Sequence, residues 1–361
     1  MSVLQPFFFI GVTPTVTPSL TPSITASITP SVTPEVTPTS SVTPSTTAAV
    51  TPTFTPTNSV TPSSTPAVTP SITPTPTPST ASVVGGSGNL TSVLTSVTPN
   101  SVSVDSSNNV YWMDYNYSTQ AGTVKYYNGT STTTVLSNTN TDYGNSLVSD
   151  NSGTGFLYWS KRDTGAVIKY NGSTATAIFT GQVRSVAVDS SGNVWSLGAN
   201  TLRKMNSTGT VSYTFTGFSP YSTSDWFAVD NSGNAYISAY IETVVSSQDS
   251  YNTGYIIKVN TNTNTVTQIY NAGAYVAVGP VVTDSSGNVY FWNNGVNKIY
   301  KWDGSSNTVW AGNGTNACPS NGAKLSVSLT NLFNGGLAIS PTTKNFWIGI
   351  AGSCASLYKI S

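Results

Sequence analysis

The chain of 361 residues contains no histidine and only two cysteines, and 7% of its residues are charged. Without histidine there is no imidazole general base, no Ser-His-Asp or Cys-His arrangement and no zinc site built on His. Cys318 and Cys354 are too few for a structural zinc tetrad; they allow one disulfide or none, and the sequence does not choose. The 13 basic and 13 acidic residues balance. Every charged residue except Glu35 lies beyond residue 88, leaving a net charge of +1 there. So neutral a surface lacks the footprint of a nucleic-acid binder. Long apolar runs are missing as well. The most apolar stretch, Pro6 to Val12 (PFFFIGV), falls far short of the ~20 residues of a membrane span. It also lacks the charged n-region and small-residue cleavage site of a secretory signal. Residues 1–11 are read as a short apolar segment in which Phe7, Phe8 and Phe9 dock to another protein, or as a start of no consequence.

What is present begins with a Thr/Pro-rich tract over residues 12–88. Every proline from Pro14 to Pro78 follows a threonine, and aromatic side chains are almost absent. Such a segment cannot pack a core, and proline removes the donors a sheet ladder needs. Proline also pushes the preceding residue toward extended backbone, so the tract is expected to form a disordered or extended stalk. At ~3.1 Å per residue, full extension reaches roughly 200 Å; a floppy spacer of shorter mean length is the alternative.

Internal similarity decides the fold of residues 89–361. Six segments share one pattern: VSVDSSNNVYW, SLVSDNSGTGFLYW, VAVDSSGNVW, FAVDNSGNAY, VVTDSSGNVYFW and LAISPTTKNFW. Alternating apolar residues on both sides of a Ser-Gly-Asn turn specify an antiparallel hairpin. Each hairpin is followed by a Lys-containing strand such as AVIKY, a polar turn and a fourth strand such as TAIFTG. A four-stranded unit repeating every 40 to 55 residues or so predicts an all-β, six-bladed β-propeller, because a closed ring buries the faces that a lone meander exposes. The sixth copy has three strands and ends at SLYKIS, while NLTSVLTS (Asn89–Ser96) precedes the first copy and reads as a fourth strand. Leu90 to Thr95 is therefore expected to pair with Leu357 to Ile360 and close the ring.

These units resemble the NHL family of six-bladed propellers, whose repeats read approximately V-A-V-D-x-x-G-N-V-Y with a later I-x-K-[FYW]. The similarity is strongest at Val186–Trp195, Phe227–Tyr236 and Val281–Trp302. It implies architecture and says little of activity. The sixth copy departs, with Ser340 and Pro341 where the others carry Asp and a small polar residue.

Residues repeated in every unit serve the scaffold, since a single site on a ring is asymmetric. Tyr111, Tyr158, Trp195, Tyr236, Tyr290 and Trp347 are expected to fill the space between blades. Lys125, Lys169, Lys204, Lys258, Lys301 and Lys359 form a second column, whose stems cover neighbouring aromatics. Asp105, Asp150, Asp189, Asp230 and Asp284 stand at turns, where a carboxylate accepts backbone N–H bonds. The alternatives are an anion-binding ring of lysines and calcium in the DSSGN loops.

Function is sought in the loops that differ between copies: Asp114–Gly122, Ser160–Gly165, Thr216–Trp226, Ala239–Gly254 and Ala311–Gly335. Meander topology puts them on one face, opposite the stalk. Candidate binding residues are Tyr115, Tyr117, Lys161, Arg162, Asp163, Tyr221, Trp226, Tyr240, Glu242 and Tyr251, with rings to stack on sugars and polar groups to bond them. Cys318 and Cys354 fall on the same face. No metal, cofactor or catalytic residue is assigned. Some six-bladed relatives are lactonase-like or lyase-like enzymes, and paired-carboxylate chemistry through Asp114, Asp163, Asp225 or Glu242 is the corresponding alternative here. The Thr-Pro tract resembles those in structural proteins of tailed bacteriophages. The expectation is a non-enzymatic head on a virion, docked through its N-terminus and contacting a host-surface glycan or protein, without nucleic-acid or membrane insertion. A secreted cell-surface adhesin is the further alternative.

Overall fold

The computed structural model describes residues 88–361 except 117–120, 140–145, 151–154, 247–248, 331 and 333–334; at 115, 116, 121, 138 and 139 the backbone alone is described. The N-terminal segment and nearly all of the Thr/Pro tract lie outside these residues. Strands form six antiparallel meanders: residues 99–139, 147–180, 183–215, 222–274, 278–311, and 336–360 joined by 89–95. These are blades 1 to 6. Each inner strand touches the next, and the sixth returns to the first, so the ring is closed. Apolar clusters fill the gaps between adjoining blades. One joins Trp195, Leu197 and Leu202 of blade 3 to Phe227, Val229 and Ile237 of blade 4.

The Ser-Gly-Asn turns show why the repeated residues are needed together. In blade 4, Asp230 Oδ1 accepts the N–H groups of Ser232 and Asn234, each at 2.9 Å. Its Oδ2 accepts Asn234 Nδ2 at 2.8 Å and the Tyr236 hydroxyl at 2.9 Å. Asp105 with Tyr111, Asp189 with Trp195 and Asp284 with Tyr290 repeat the device. The aromatic ring thus packs between blades while its polar tip locks its own hairpin. The turn needs one left-handed residue, supplied by Gly192, Gly233 and Gly287 at φ of 78°, 78° and 81°, and in blade 1 by Asn108 at 66°. In blade 6 Ser340 replaces the carboxylate. Its hydroxyl accepts the Thr343 N–H at 3.0 Å and donates to Asn108 of blade 1, fastening the first and last repeats at their turns.

These carboxylates make folding sensitive to acid. At Asp189 burial opposes ionisation, but hydrogen bonds from Trp195 and Asn193 and the charge on Lys204 outweigh it and hold the carboxyl below its usual range. A depressed folded pKa stabilises above the ordinary carboxyl value of about 4 and is lost as pH falls through the folded value. Asp189→Asn should lower stability at pH 7 by about 1–3 kcal/mol and flatten the decline below pH 4. Urea unfolding at pH 3 to 7 measures both effects.

The lysine column follows expectation in five blades and fails in one. Lys169, Lys204, Lys258, Lys301 and Lys359 lie directly opposite Tyr158, Trp195, Tyr236, Tyr290 and Trp347 in register. Their ammonium groups stand over rings, at 5.1 Å from Trp195 for Lys204 and 5.8 Å from Tyr236 for Lys258. In blade 1 Tyr111 instead faces Tyr126, with ring centroids 5.2 Å apart. Lys125 is one position off, so its side chain emerges on the other side of the sheet and reaches Asp114 at 2.6 Å.

Ring closure has the expected register, with Leu90 opposite Ile360, Leu94 opposite Leu357 and Thr95 opposite Ser356. The segment after blade 5 adds to it. Gly322 and Ala323 pair with Leu90 and Asn89, giving blade 6 a fifth strand that covers the closing strand's outer edge. Val327, Leu329 and Leu332 anchor this insertion in the core around Leu90. Cys318 within it is bonded to Cys354, in the turn before the chain's last strand, with Cα atoms 5.2 Å apart.

Candidate functional site

Strand direction sorts the connections onto two faces. The Asp-bearing turns, the turns before the outer strands and residue 88 lie on one, the turn face. The connections between second and third strands, and those between blades, lie on the other, the loop face. Inner strands line a central cavity of about 350 Å³. Its serines are structural: Ser103 Oγ accepts the Ser149 N–H at 2.7 Å, and Ser146 Oγ accepts the Val186 N–H at 2.6 Å, joining inner strands of successive blades.

Blade 4 breaks the symmetry of the loop face. Ala239–Gly254, expected as a loop, is instead largely a continuation of the second and third strands, Ala235–Val244 and Ser250–Asn260. Pairing runs without a break from Ala239 opposite Tyr255 to Val244 opposite Ser250. The second strand has 10 residues here and 5 in blade 3, so the hairpin projects farther by roughly 17 Å at ~3.4 Å per residue. Its outer side chains meet solvent, which removed the apolar alternation that marks a strand in sequence. The Asp114–Gly122, Ser160–Gly165 and Thr216–Trp226 loops are likewise shorter than expected, because strands occupy 114–116, 121–122, 160–161 and 222–226.

Two sectors stand out. Over blades 4 and 5 lie Val244, Val245, Tyr275 and Val296, exposed by 69, 66, 79 and 40%. Among the described residues only Val211, on the turn face, is another large apolar side chain so exposed. Tyr275 packs on Tyr251 with centroids 4.8 Å apart, and its N–H donates to Asn252 O at 2.8 Å, bracing the hairpin against the next blade. Over blades 2 to 4 lies a charged sector. Arg162 reaches Asp225 at 3.0 Å, Arg184 approaches the same carboxylate at 3.9 Å, and Lys161 pairs with Asp163 at 3.3 Å.

The expected site residues thus divide. Lys161, Arg162 and Asp163 belong to the charged sector and Tyr251 to the apolar one. Glu242 is exposed on the hairpin opposite Asn252, and Tyr240 is half-buried at its base opposite Gly254. Trp226 lines the cavity and packs against the blade 4–5 core. Tyr221 is scaffold: its ring meets Tyr255 edge-on at 5.3 Å, and burial, then the neighbouring Tyr255, pushes its hydroxyl pKa up. Tyr117 lies outside the described residues, and Tyr115 is described by its backbone alone. Asp114 is engaged by Lys125, Trp112 and Thr98. It, Asp163, Asp225 and Glu242 are spread over blades 1, 2 and 4. Sequence reasoning missed Arg184 and Tyr275. The crowding of all three arginines between positions 162 and 203 was the available signal for the first. For the second there was none, because a lone tyrosine between repeats carries no pattern.

No protein-family profile and no curated protein sequence matches the chain. Similar solved structures include virginiamycin B lyase from Staphylococcus aureus, at 9% identity over 76% of this chain and 99% of that one, with a TM-score of 0.48. A chain of the mitotic checkpoint complex is 12% identical over 75% of this chain and 90% of its own, with a TM-score of 0.48. YCF48, solved bound to D1 peptide, is 8% identical over 78% and 99%, with a TM-score of 0.46. At such identities and scores the likeness is one of backbone path, and no activity follows from it.

Proposed function

We propose that the chain is a non-enzymatic recognition protein, displayed on a virion or cell surface, whose loop face contacts a glycan or protein of a host surface. One observation carries this reading: among the described residues, four of the five exposed large apolar side chains gather in one sector of one face, on a projecting hairpin, the loop bracing it and the neighbouring turn of blade 5. Apolar groups clustered on an otherwise polar surface mark interaction sites. Their position also agrees with display, because the chain leads into the propeller at residue 88 on the opposite face. The V-A-V-D-x-x-G-N-V-Y pattern supports NHL-like repeats as the scaffold, and the Thr-Pro tract supports a phage tail or similar particle as the carrier.

The test is binding of the full chain to a glycan array and to intact bacterial envelopes, comparing wild type with a Tyr275→Ala, Val245→Ser variant. At least a tenfold loss of apparent affinity with unchanged melting is expected. Equal binding by the variant, or no binding by the wild type, would sink the reading.

A further inference from the structure

The chain has three arginines, Arg162, Arg184 and Arg203, and all three belong to one sector of the loop face. Arg162 sits in the turn between the second and third strands of blade 2. Arg184 is the second residue of the inner strand of blade 3, after Val183. Arg203 is on the third strand of blade 3, donating to Gly181 O at 3.2 Å with its guanidinium 5.5 Å from the Phe179 ring centre. The first two converge on Asp225 of blade 4 from neighbouring blades. At 3.9 Å Arg184 makes no hydrogen bond to that carboxylate. Both guanidinium side chains are 39% exposed.

Among the described residues, one carboxylate between two guanidinium groups leaves one positive charge unbalanced. Arginine presents donors in a planar fork that matches a carboxylate in two-point fashion. A monoanion balances the remaining charge, whereas a dianion would leave the cluster with a net negative charge. Asp163 and Asp225 add acceptors for hydroxyl donors. Resting on the recognition reading above, we infer that this sector binds an acidic saccharide, with Arg184 and Arg162 gripping a ring carboxylate and the two aspartates accepting its hydroxyls. An acidic peptide offers the same carboxylates with N–H donors in place of ring hydroxyls, and is the rival that oligoglutamate tests.

The experiment is calorimetric titration of the full chain with oligogalacturonate, with the same oligomer after carboxyl reduction to galactose units, and with oligoglutamate. Wild type should bind the uronate at least tenfold more tightly than the neutral oligomer, and less tightly as salt rises. Arg184→Ala should abolish that preference, and Arg184→Lys, which keeps charge without the fork, should restore it only in part. Arg162→Gln is the second variant should Arg184→Ala not fold. Equal affinity for the neutral oligomer, equal or tighter binding of oligoglutamate, or an Arg184→Ala variant that keeps the preference would each overturn the proposal. The Tyr275→Ala, Val245→Ser variant separates the two readings. If it loses envelope binding while the arginine variants titrate like wild type, face recognition stands and the acidic saccharide falls.

Discussion

Deleting Asn89–Thr95 should lower the melting temperature of the propeller by more than about 10 °C. The deletion removes the pairs from Leu90–Ile360 to Thr95–Ser356 and leaves the chain's last strand as an open edge. It also takes Leu90, fully buried, from a core shared with Ile299, Leu329, Ile348 and Ile360. Loss of one such leucine costs about 2–5 kcal/mol, and 1 kcal/mol moves Tm by roughly 2–4 °C in a domain of this size. Calorimetry of the truncated protein reads the shift. The milder Leu90→Ala should lose about 3 kcal/mol, separating the core contribution from the backbone pairing. A truncated protein that melts within 2 °C or so of the intact one would refute closure by this strand.

The double variant Cys318→Ser, Cys354→Ser should lose about 3–4 kcal/mol, the loop-closure entropy of a bridge spanning 36 positions. The bond holds the insertion against the turn that precedes the last strand, and so keeps Gly322 and Ala323 against Leu90 and Asn89. Denaturant unfolding measures the loss. Reductant should move wild type toward the variant and leave the variant where it is. A loss under 1 kcal/mol would mean that Val327, Leu329 and Leu332 hold the insertion unaided.

Architecture was readable because a propeller states its pattern repeatedly. Six copies of one alternating hairpin fixed blade number, strand count and the closing partners, and the turn aspartates and ring-covering lysines could be assigned by column. Readability ended where one copy departs by a single position. VKYY in blade 1 has tyrosine where the other blades have lysine opposite the aromatic, and one step along a strand reverses the face. It also ended where strands leave the core. Tyr240, Glu242 and Val244 share one side of the blade 4 hairpin with no apolar partner to set a period, so the segment looked like a loop. The insertion after blade 5 hid its fifth strand for a different reason: two residues, Gly322 and Ala323, are too short to register as a strand. Of the candidate residues picked from the sequence, Lys161, Arg162 and Tyr251 lie in sectors with neighbours of matching chemistry. Arg184 and Tyr275 acquire their meaning only from chain segments that folding brings beside them.

The strand that completes the ring is also the chain's route onward to its N-terminal tract. It starts on the turn face and runs antiparallel to the last strand, which hangs from the opposite face through Ser356. A pull on residue 88 directed away from the turn face would act along the strand axis, in shear, so that the paired residues resist together and do not peel away singly. The residues that close the ring are thus also the ones through which any load on the preceding chain would enter the propeller.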